Sequence, residues 1–153
     1  MYASTLESIE QIKSHLQIYT PDPYINAAAS ALVMAADGIW ESPVYQHGAI
    51  GWRVPLAGWR GAYTADVLAW NDRAEEHFRA YAASQMTPPP DKGVIMDTVL
   101  NIARSAKVKG SQMYSEGYIA RYPNNPNTMN HYDMNICYID EMLRHLRWTG
   151  DLD

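Results

Sequence analysis

The segment from Tyr45 to Ala80 constrains the fold more than any other part of the 153-residue chain. Its first half holds two Trp-Arg pairs, Trp52-Arg53 and Trp59-Arg60, in a loop rich in glycine, and its second half is a long helical pattern. A tryptophan ring offers a flat apolar face, and an arginine offers a planar fork of hydrogen-bond donors. The loop is therefore suited to a polyhydroxylated ligand, and the helices around it predict a scaffold that holds it.

Apolar residues recur at helical spacing in five segments, and no clear alternating strand pattern is present. Asp22-Pro23 supplies an N-cap and a first-turn proline for the second helix. Three consecutive prolines, Pro88 to Pro90, form a stiff connector after the third helix. The predicted helices span residues 5–18, 24–39, 61–84, 97–107 and 130–147. The expected fold class is all-α, in a single domain that covers residues 1–153.

Composition narrows the partners that the chain can have. The net charge is −5, from 12 Lys and Arg against 17 Asp and Glu, and no basic run is present, so we expect no nucleic-acid partner. The single cysteine, Cys137, excludes an intrachain disulfide and a cysteine-based zinc cluster. The most apolar run, Ala27 to Ala36, is too short to cross a bilayer, so we expect no membrane partner. The start of the chain lacks the features of a signal peptide, and a periplasmic or extracellular location would require one upstream.

Two stretches carry a family resemblance: AADGIWESPVYQHGAIGWRVPLAGWRGAYTADVL, and NTMNHYDMNICYIDEMLRHLRWTGD towards the end of the chain. Together with the helix–loop–helix alternation between them, they resemble the six-hairpin glycoside hydrolases, in a bacterial polysaccharide-degrading branch. The resemblance implies helical hairpins that form part of an α/α toroid, with an active site at one mouth. The acidic signature of the rhamnosidase-like branches is missing before the Gly-Trp motif, so the resemblance alone does not assign the catalytic residues.

The number of helices suggests a partial barrel. A complete toroid needs about 12 helices, which at the usual helix length exceeds this chain. Five predicted helices therefore imply a fragment with bare apolar helix faces. Such faces predict self-association, or a partner that supplies the remainder of the barrel.

Glycoside hydrolysis needs a protonated carboxylic acid at the leaving oxygen and a second carboxylate as base or nucleophile. Asp133, at the start of the last predicted helix, and Glu41, between Trp40 and Ser42, are the predicted catalytic pair. Asp133 has an alternative role as a first-turn acidic residue that stabilises the helix dipole. The alternative for Glu41 is a solvated loop carboxylate.

The predicted substrate-binding side chains lie in the loops and at the helix starts beside them. They are Trp52, Arg53, Trp59, Arg60, Tyr63, His47, His131 and Tyr132. An alternative role of the two arginines is to form ion pairs with Asp37 or Asp66 that fix the loop. An alternative role of the two tryptophans is to pack in the hydrophobic core. No ligand spacing of a known metal site is present, and neither a metal nor another cofactor is expected.

The remaining titratable groups on the helices are expected to lie on solvated faces. Asp140 and Glu141 are adjacent, so their side chains point about 100° apart and cannot share one proton. A pair between Asp140 and Arg144 is the expected arrangement. His15, His77 and His145 are expected on the polar sides of their helices, without a functional role.

The predicted function is that of a glycoside hydrolase that acts on a polysaccharide or oligosaccharide. One alternative is a carbohydrate-binding or scaffold piece without catalysis. The other is a polysaccharide lyase on a related toroid, in which Arg53, Arg60, His131 and Tyr132 would serve. Release of an unsaturated uronide that absorbs in the ultraviolet distinguishes the lyase from the hydrolase.

Overall fold

Four α-helices and a small antiparallel sheet make up the part of the chain that the computed structural model describes. That part comprises residues 2–48, 53–58, 61–85, 99, 119, 121–123 and 132–152, with the side chain of residue 132 excepted. The helices are α1 (Tyr2–Lys13), α2 (Pro23–Gly38), α3 (Asn71–Ala83) and α4 (Tyr132–Thr149). The strands are β1 (Trp40–Glu41), β2 (Val44–His47) and β3 (Val54–Pro55). Among these described helices, none has the length and apolar character needed to span a membrane.

The sheet between α2 and α3 shows that the all-α prediction is wrong. The strand order is β1-β2-β3 and both pairings are antiparallel, with Trp40 opposite Tyr45 and Gln46 opposite Pro55. Strands of two to four residues are too short to show an alternating pattern. Three successive residues of β2, Val44 to Gln46, are also all buried, which removes the alternation that a half-exposed strand has. The fold is therefore mixed, mainly helical with a small sheet.

The predicted boundaries of the second and last helices agree with the structure to within two residues. Asp22 caps α2, where its carboxylate accepts a hydrogen bond of 2.8 Å from the backbone N–H of Tyr24, and Pro23 occupies the first helical position. The helix predicted over 130–147 is α4. These ends carry strong local signals, a cap followed by proline in one case and a sustained apolar period in the other.

The other predicted helices differ from the structure. The first ends at Lys13 rather than near residue 18. The third was expected to begin near Gly61, but two 3₁₀ turns, Ala62–Thr64 and Asp66–Leu68, occupy its first part. Ala69 then adopts a left-handed conformation (φ 58°), which interrupts the helical path before α3 begins. The helix predicted over 97–107 lies outside the described residues apart from Val99.

His77 lies at the centre of the core, 1% exposed, where the prediction placed it on a polar helix side. Its Nδ1 accepts a hydrogen bond from the backbone N–H of Tyr45 (3.1 Å), and its Nε2 donates one to the carbonyl of Ala57 (2.9 Å). The rings of Tyr45, Phe78 and Tyr81 lie 5.0 to 5.8 Å from it. Burial lowers the pKa of His77 to about 4, so its ring is neutral at pH 7. Through its two hydrogen bonds the ring connects α3 to β2 and to the segment that follows β3.

Two contacts attach the N-terminal helices to the start of α3. His15, which follows α1, donates from Nδ1 to the carbonyl of Leu68 (2.6 Å) and accepts from Nε1 of Trp70 (3.1 Å). Arg73 lies over the rings of Trp40 and Trp70, 5.7 and 4.3 Å from their centroids. Its Nη1 is 2.9 Å from the carboxylate of Asp37 at the end of α2. His15 is therefore a structural link, not a residue on a solvated helix face.

Candidate functional site

A groove of about 290 Å³ runs between the two 3₁₀ turns and α4. Gly58 brings the preceding segment onto α4, because a Cβ there would lie 2.5 Å from the backbone nitrogen of Tyr138. This close approach requires a residue without a side chain, and it places the turns directly beside the helix. The side chains and backbone that line the groove belong to Ala62, Tyr63, Asp66, Val67, Glu141, Arg144, Arg147 and Trp148.

An Asp-His pair closes the inner side of the groove. His145 Nδ1 donates to Asp66 Oδ1 at 2.7 Å, and both side chains are 12% exposed. The ring of His145 also packs against Phe78, with 5.5 Å between the centroids. The prediction that His145 lies on a polar helix side is wrong, because the 3₁₀ turns cover that part of α4. The pair fixes the orientation of the Asp66 carboxylate relative to α4.

Tyr63, a predicted binding residue, lies at the edge of the groove. Its hydroxyl donates to Asp140 Oδ2 (3.2 Å), and Arg144 Nε donates to the same oxygen (2.8 Å). The Arg144 guanidinium lies 5.0 Å from the centroid of the Tyr63 ring. The predicted pair between Asp140 and Arg144 is therefore confirmed. Burial, and after it the hydrogen bond to Asp140, raises the pKa of the Tyr63 hydroxyl.

Glu141 lies at the base of the groove and is 3% exposed, so the prediction of a solvated face is wrong for this residue. It also borders a narrow space beneath the sheet that His47 and His77 line from the other side. Its neighbour Asp140 is exposed, as the helical geometry of adjacent residues requires. Glu141 thus separates the groove from the sheet.

Arg147 and Trp148 form the outer end of the groove. Trp148 is 61% exposed, and Arg147 makes no ion pair with any other residue in the described part of the chain. Positions 141, 144 and 148 follow the i, i+3, i+7 spacing of one helix face. This spacing is visible in the sequence and identifies the face of α4 that lines the groove. The sequence prediction did not assign this face, or Asp66, to the site.

The other predicted site residues lie elsewhere or outside the described residues. Glu41, on β1, pairs with Arg53 Nη2 at 3.3 Å, and their side chains are 64% and 39% exposed. Asp133 is exposed in the first turn of α4, and His47 is half-buried at the end of β2. Trp52, Trp59, Arg60 and His131 lie outside the described residues, as does the side chain of Tyr132. Tyr63 is the one predicted residue among the described side chains of the groove.

The alternative ion pair of Arg53 with Asp37 or Asp66 also differs from the structure, and that of Arg60 lies outside the described residues. Arg53 pairs with Glu41, while Asp37 pairs with Arg73 and Asp66 with His145. Glu41 is on β1, and Arg53 directly precedes β3 on the other side of β2, so their pairing depends on strands that the sequence did not reveal. The structure thus brings together one catalytic and one binding candidate in a mutual ion pair.

The groove combines two aromatic rings, two arginine forks and two carboxyl groups in one concave surface. Rings and forks of this kind bind flat, hydroxylated or ionised ligands, and a pair of carboxyl groups can act as acid and base. Within the described residues, no three His, Cys, Asp or Glu side chains are grouped so that they could hold a metal ion. Comparisons with protein-family models, curated proteins and solved structures find no match to this chain.

Proposed function

We propose that the chain binds carbohydrate in the groove between the 3₁₀ turns and α4 and acts there as a glycoside hydrolase. The observation that carries the proposal is the convergence in one groove of Tyr63 and Trp148 with Asp66 and Glu141. The resemblance of the Trp-Arg loop and the last helix to six-hairpin glycoside hydrolases supports the same reaction class. The all-α toroid is not part of the proposal, since the chain contains a sheet.

The binding role rests on the outer half of the groove. Trp148 offers an accessible ring face, and the exposed edge of Tyr63 lies on the facing turn. Sugar rings present apolar C–H faces and hydroxyl groups, which suit an aromatic ring beside arginine donors. Arg147 provides such donors because no described residue engages it in an ion pair.

The catalytic role rests on the inner half. Glu141 is 3% exposed at the base of the groove, so its carboxyl group lies away from bulk water on the same concave surface as Asp66. Glycoside hydrolysis uses one carboxyl group as the general acid, and Glu141 is the candidate for that role. Asp66 accepts a hydrogen bond from His145, which orients its carboxylate as a base or nucleophile. Asp66 and Glu141 therefore replace Asp133 and Glu41 as the favoured pair, because the latter are both exposed and Glu41 is engaged by Arg53.

The lyase alternative is less well supported by the groove. A lyase needs a base, such as a tyrosine, that gives up its proton readily beside a cation that binds the uronate carboxylate. Tyr63 and Arg144 have this arrangement, but the raised pKa of Tyr63 makes its hydroxyl a weaker source of the phenolate. Its hydrogen bond to Asp140 also directs its proton away from a ligand.

Calorimetric titration with a panel of neutral and acidic oligosaccharides tests the binding role. We expect Trp148→Ala to weaken binding at least about tenfold, a typical cost of removing a stacking ring. Tyr24→Ala is the matched control, since Tyr24 is an 84% exposed aromatic residue on α2, away from the groove. Equal losses in both variants, or no binding by the native chain, would contradict the proposed site.

Assays of released reducing ends and of ultraviolet absorbance test the reaction. Asp66→Asn and Glu141→Gln are expected to lower hydrolysis by about 100-fold or more, the usual effect of losing acid–base catalysis. Asp72→Asn, on the exposed first turn of α3, controls for loss of a carboxylate. The same assay on Asp133→Asn and Glu41→Gln decides between the two pairs. Binding without either product would leave a non-catalytic carbohydrate-binding protein, and an absorbing product would identify a lyase.

A further inference from the structure

Among the described residues that line the groove, Arg147 carries a guanidinium group without an ion-pair partner. It lies in the last turn of α4, it is exposed, and it borders the outer end of the groove together with Trp148. A guanidinium group has five N–H donors in a planar fork and no acceptor. Arg147 therefore offers the groove a fixed positive charge and a set of donors that a ligand can use.

Arg147 differs in this respect from every other arginine and lysine in the described part of the chain. Five of them pair with a carboxylate, at 2.7 to 3.3 Å: Lys13, Arg53, Arg73, Arg79 and Arg144. The sixth, Arg121, lies over the ring of Tyr122, 5.5 Å from its centroid. The whole chain has 17 acidic residues against 12 basic ones, so a cation without a carboxylate partner is unusual in it.

The carboxyl groups in and beside the groove have contacts other than Arg147. Asp66 and Asp140 each accept a hydrogen bond from another side chain, at 2.7 and 2.8 Å. Glu141 is 3% exposed and lies at the base of the groove. When a ligand displaces water from the outer end, the ligand itself must therefore provide the acceptors for the Arg147 donors.

A sugar ring that stacks on an aromatic side chain presents its substituents at the ring edge, because its faces consist of C–H groups. Trp148 is 61% exposed and directly follows Arg147, so both border the same end of the groove. A guanidinium group binds an oxyanion through two parallel hydrogen bonds, each roughly twice as strong as a neutral one. We propose, on the basis of the carbohydrate-binding role proposed above, that the groove takes an acidic saccharide whose carboxylate or sulfate group binds Arg147.

Calorimetric titration of the full chain with matched pairs of saccharides tests the proposal. The uronate pair is α-1,4-digalacturonate with α-1,4-galactobiose, and the sulfate pair is neocarrabiose 4-sulfate with neocarrabiose. We expect the acidic member of at least one pair to bind about tenfold more tightly than its neutral counterpart. A preference in the uronate pair alone identifies a carboxylate, and one in the sulfate pair alone identifies a sulfate ester.

The same titrations separate failure of this proposal from failure of the carbohydrate-binding role. Equal affinity within each pair, or tighter binding of the neutral members, would overturn the acidic saccharide and leave a groove that binds neutral sugar. Absence of binding by every saccharide, acidic or neutral, would contradict the binding role of the groove and the acidic ligand together.

The variant Arg147→Gln locates the acidic group. It keeps a polar side chain and removes the charge, so the acidic member should bind about five- to tenfold more weakly and the neutral member within about twofold of the native affinity. Arg79→Gln is the matched control, since Arg79 is an exposed arginine on α3 that does not line the groove. Equal losses in the two variants would mean a general attraction to positive charge and would overturn the proposal.

Arg147 has a structural alternative, because a cation in the last turn of a helix stabilises its negative end. Urea denaturation of Arg147→Gln measures this contribution. Lower stability with an unchanged preference for the acidic member would mean that Arg147 serves only the helix end, and would overturn the proposal.

Asp140 provides a test in the opposite direction. Asp140→Asn removes a negative charge beside the groove and retains an acceptor for Tyr63 and Arg144. We expect it to strengthen binding of the acidic member about two- to threefold and to leave the neutral member unchanged. Raising the salt concentration from about 0.05 M to about 0.5 M should reduce the preference of the native chain, because salt screens exposed charges. Weaker binding of the acidic member by Asp140→Asn, or a preference that salt does not change, would overturn the proposal.

Discussion

His77 shows how much one buried side chain controls in this molecule. Its neutral ring accepts a hydrogen bond from Tyr45 and donates one to Ala57, while burial lowers its pKa from 6.5 to about 4. The unfolded chain therefore binds a proton near pH 6.5 that the folded chain does not bind until near pH 4. Stability from this residue is complete above pH 6.5 and is lost as the pH falls towards 4, by roughly 3 kcal/mol at about 1.4 kcal/mol per pKa unit.

The variant His77→Gln tests this prediction. Glutamine has no titrating proton in this range and retains a donor for the carbonyl of Ala57. We expect the variant to be less stable than the native chain at pH 7.5, and its free energy of unfolding to fall less between pH 6.5 and 5. Urea denaturation at several pH values measures both quantities. Parallel pH profiles for the two proteins would show that protonation of His77 does not contribute.

Residues such as His77 and Glu141 also mark the limit of sequence prediction. Each lies on a helix at a position where the local pattern allows either a solvated or a buried side chain. His77 is buried because the sheet lies over α3, and Glu141 because the segment after β3 and the 3₁₀ turns lie over α4. Asp22 and the Asp140–Arg144 pair were predictable, since their partners lie within four residues in the chain.

At the level of elements, the short sheet accounts for most differences between prediction and structure. The strands β1 and β3 have two residues each, which is too few to show an alternating pattern. They nevertheless position two candidate site residues that form an ion pair, because β1 ends with Glu41 and β3 directly follows Arg53. The predicted third helix likewise begins as 3₁₀ turns because Ala69 takes a left-handed conformation that no local signal specifies. Helices α2 and α4 were predictable because their apolar faces repeat over several turns. The groove was not predictable, because it depends on how the turns meet α4.

The contact of Gly58 with α4 gives a prediction at this level. A Cβ at Gly58 would lie 2.5 Å from the backbone nitrogen of Tyr138 and 2.7 Å from the carbonyl carbon of Cys137. Since helix backbone cannot yield locally, Gly58→Ala must displace the segment from α4, at a cost of about 1–3 kcal/mol typical of overpacking. It should also open the groove and weaken ligand binding there. Chemical denaturation measures the loss of stability.

Gly38 offers a matched control for the same substitution. It is the last residue of α2, and nothing lies within 4 Å of a Cβ placed on it. Gly38→Ala should leave stability unchanged or raise it slightly, because alanine favours a helix more than glycine does. A similar loss in both variants would mean that the glycines act through chain flexibility and not through the contact with α4.

For the whole molecule, the exposed apolar residues on the outer face of α4 give a prediction about association in solution. Ile136 and Ile139 lie one turn apart and are 71% and 52% exposed, and Leu143 extends the same row at 43%. The opposite side of the helix, with Met134, Tyr138 and Glu141, is buried. Contiguous apolar residues along a helix favour association, so we expect the purified chain to self-associate through this face. The expectation rests on exposed side chains and not on a toroidal fold.

Light scattering at several protein concentrations measures this association directly. Substitution of both Ile136 and Ile139 by lysine should lower the average mass towards that of a monomer, because charged residues oppose burial of the face. Ile25→Lys with Leu32→Lys is the matched control, since these α2 residues are 49% and 65% exposed. Dissociation by the α2 pair alone would place the interface on α2. If the native chain stays monomeric at every concentration, the α4 face remains in contact with water and the prediction of self-association is wrong. The exposed apolar residues on α4 would then not be explained by contact between copies of the chain.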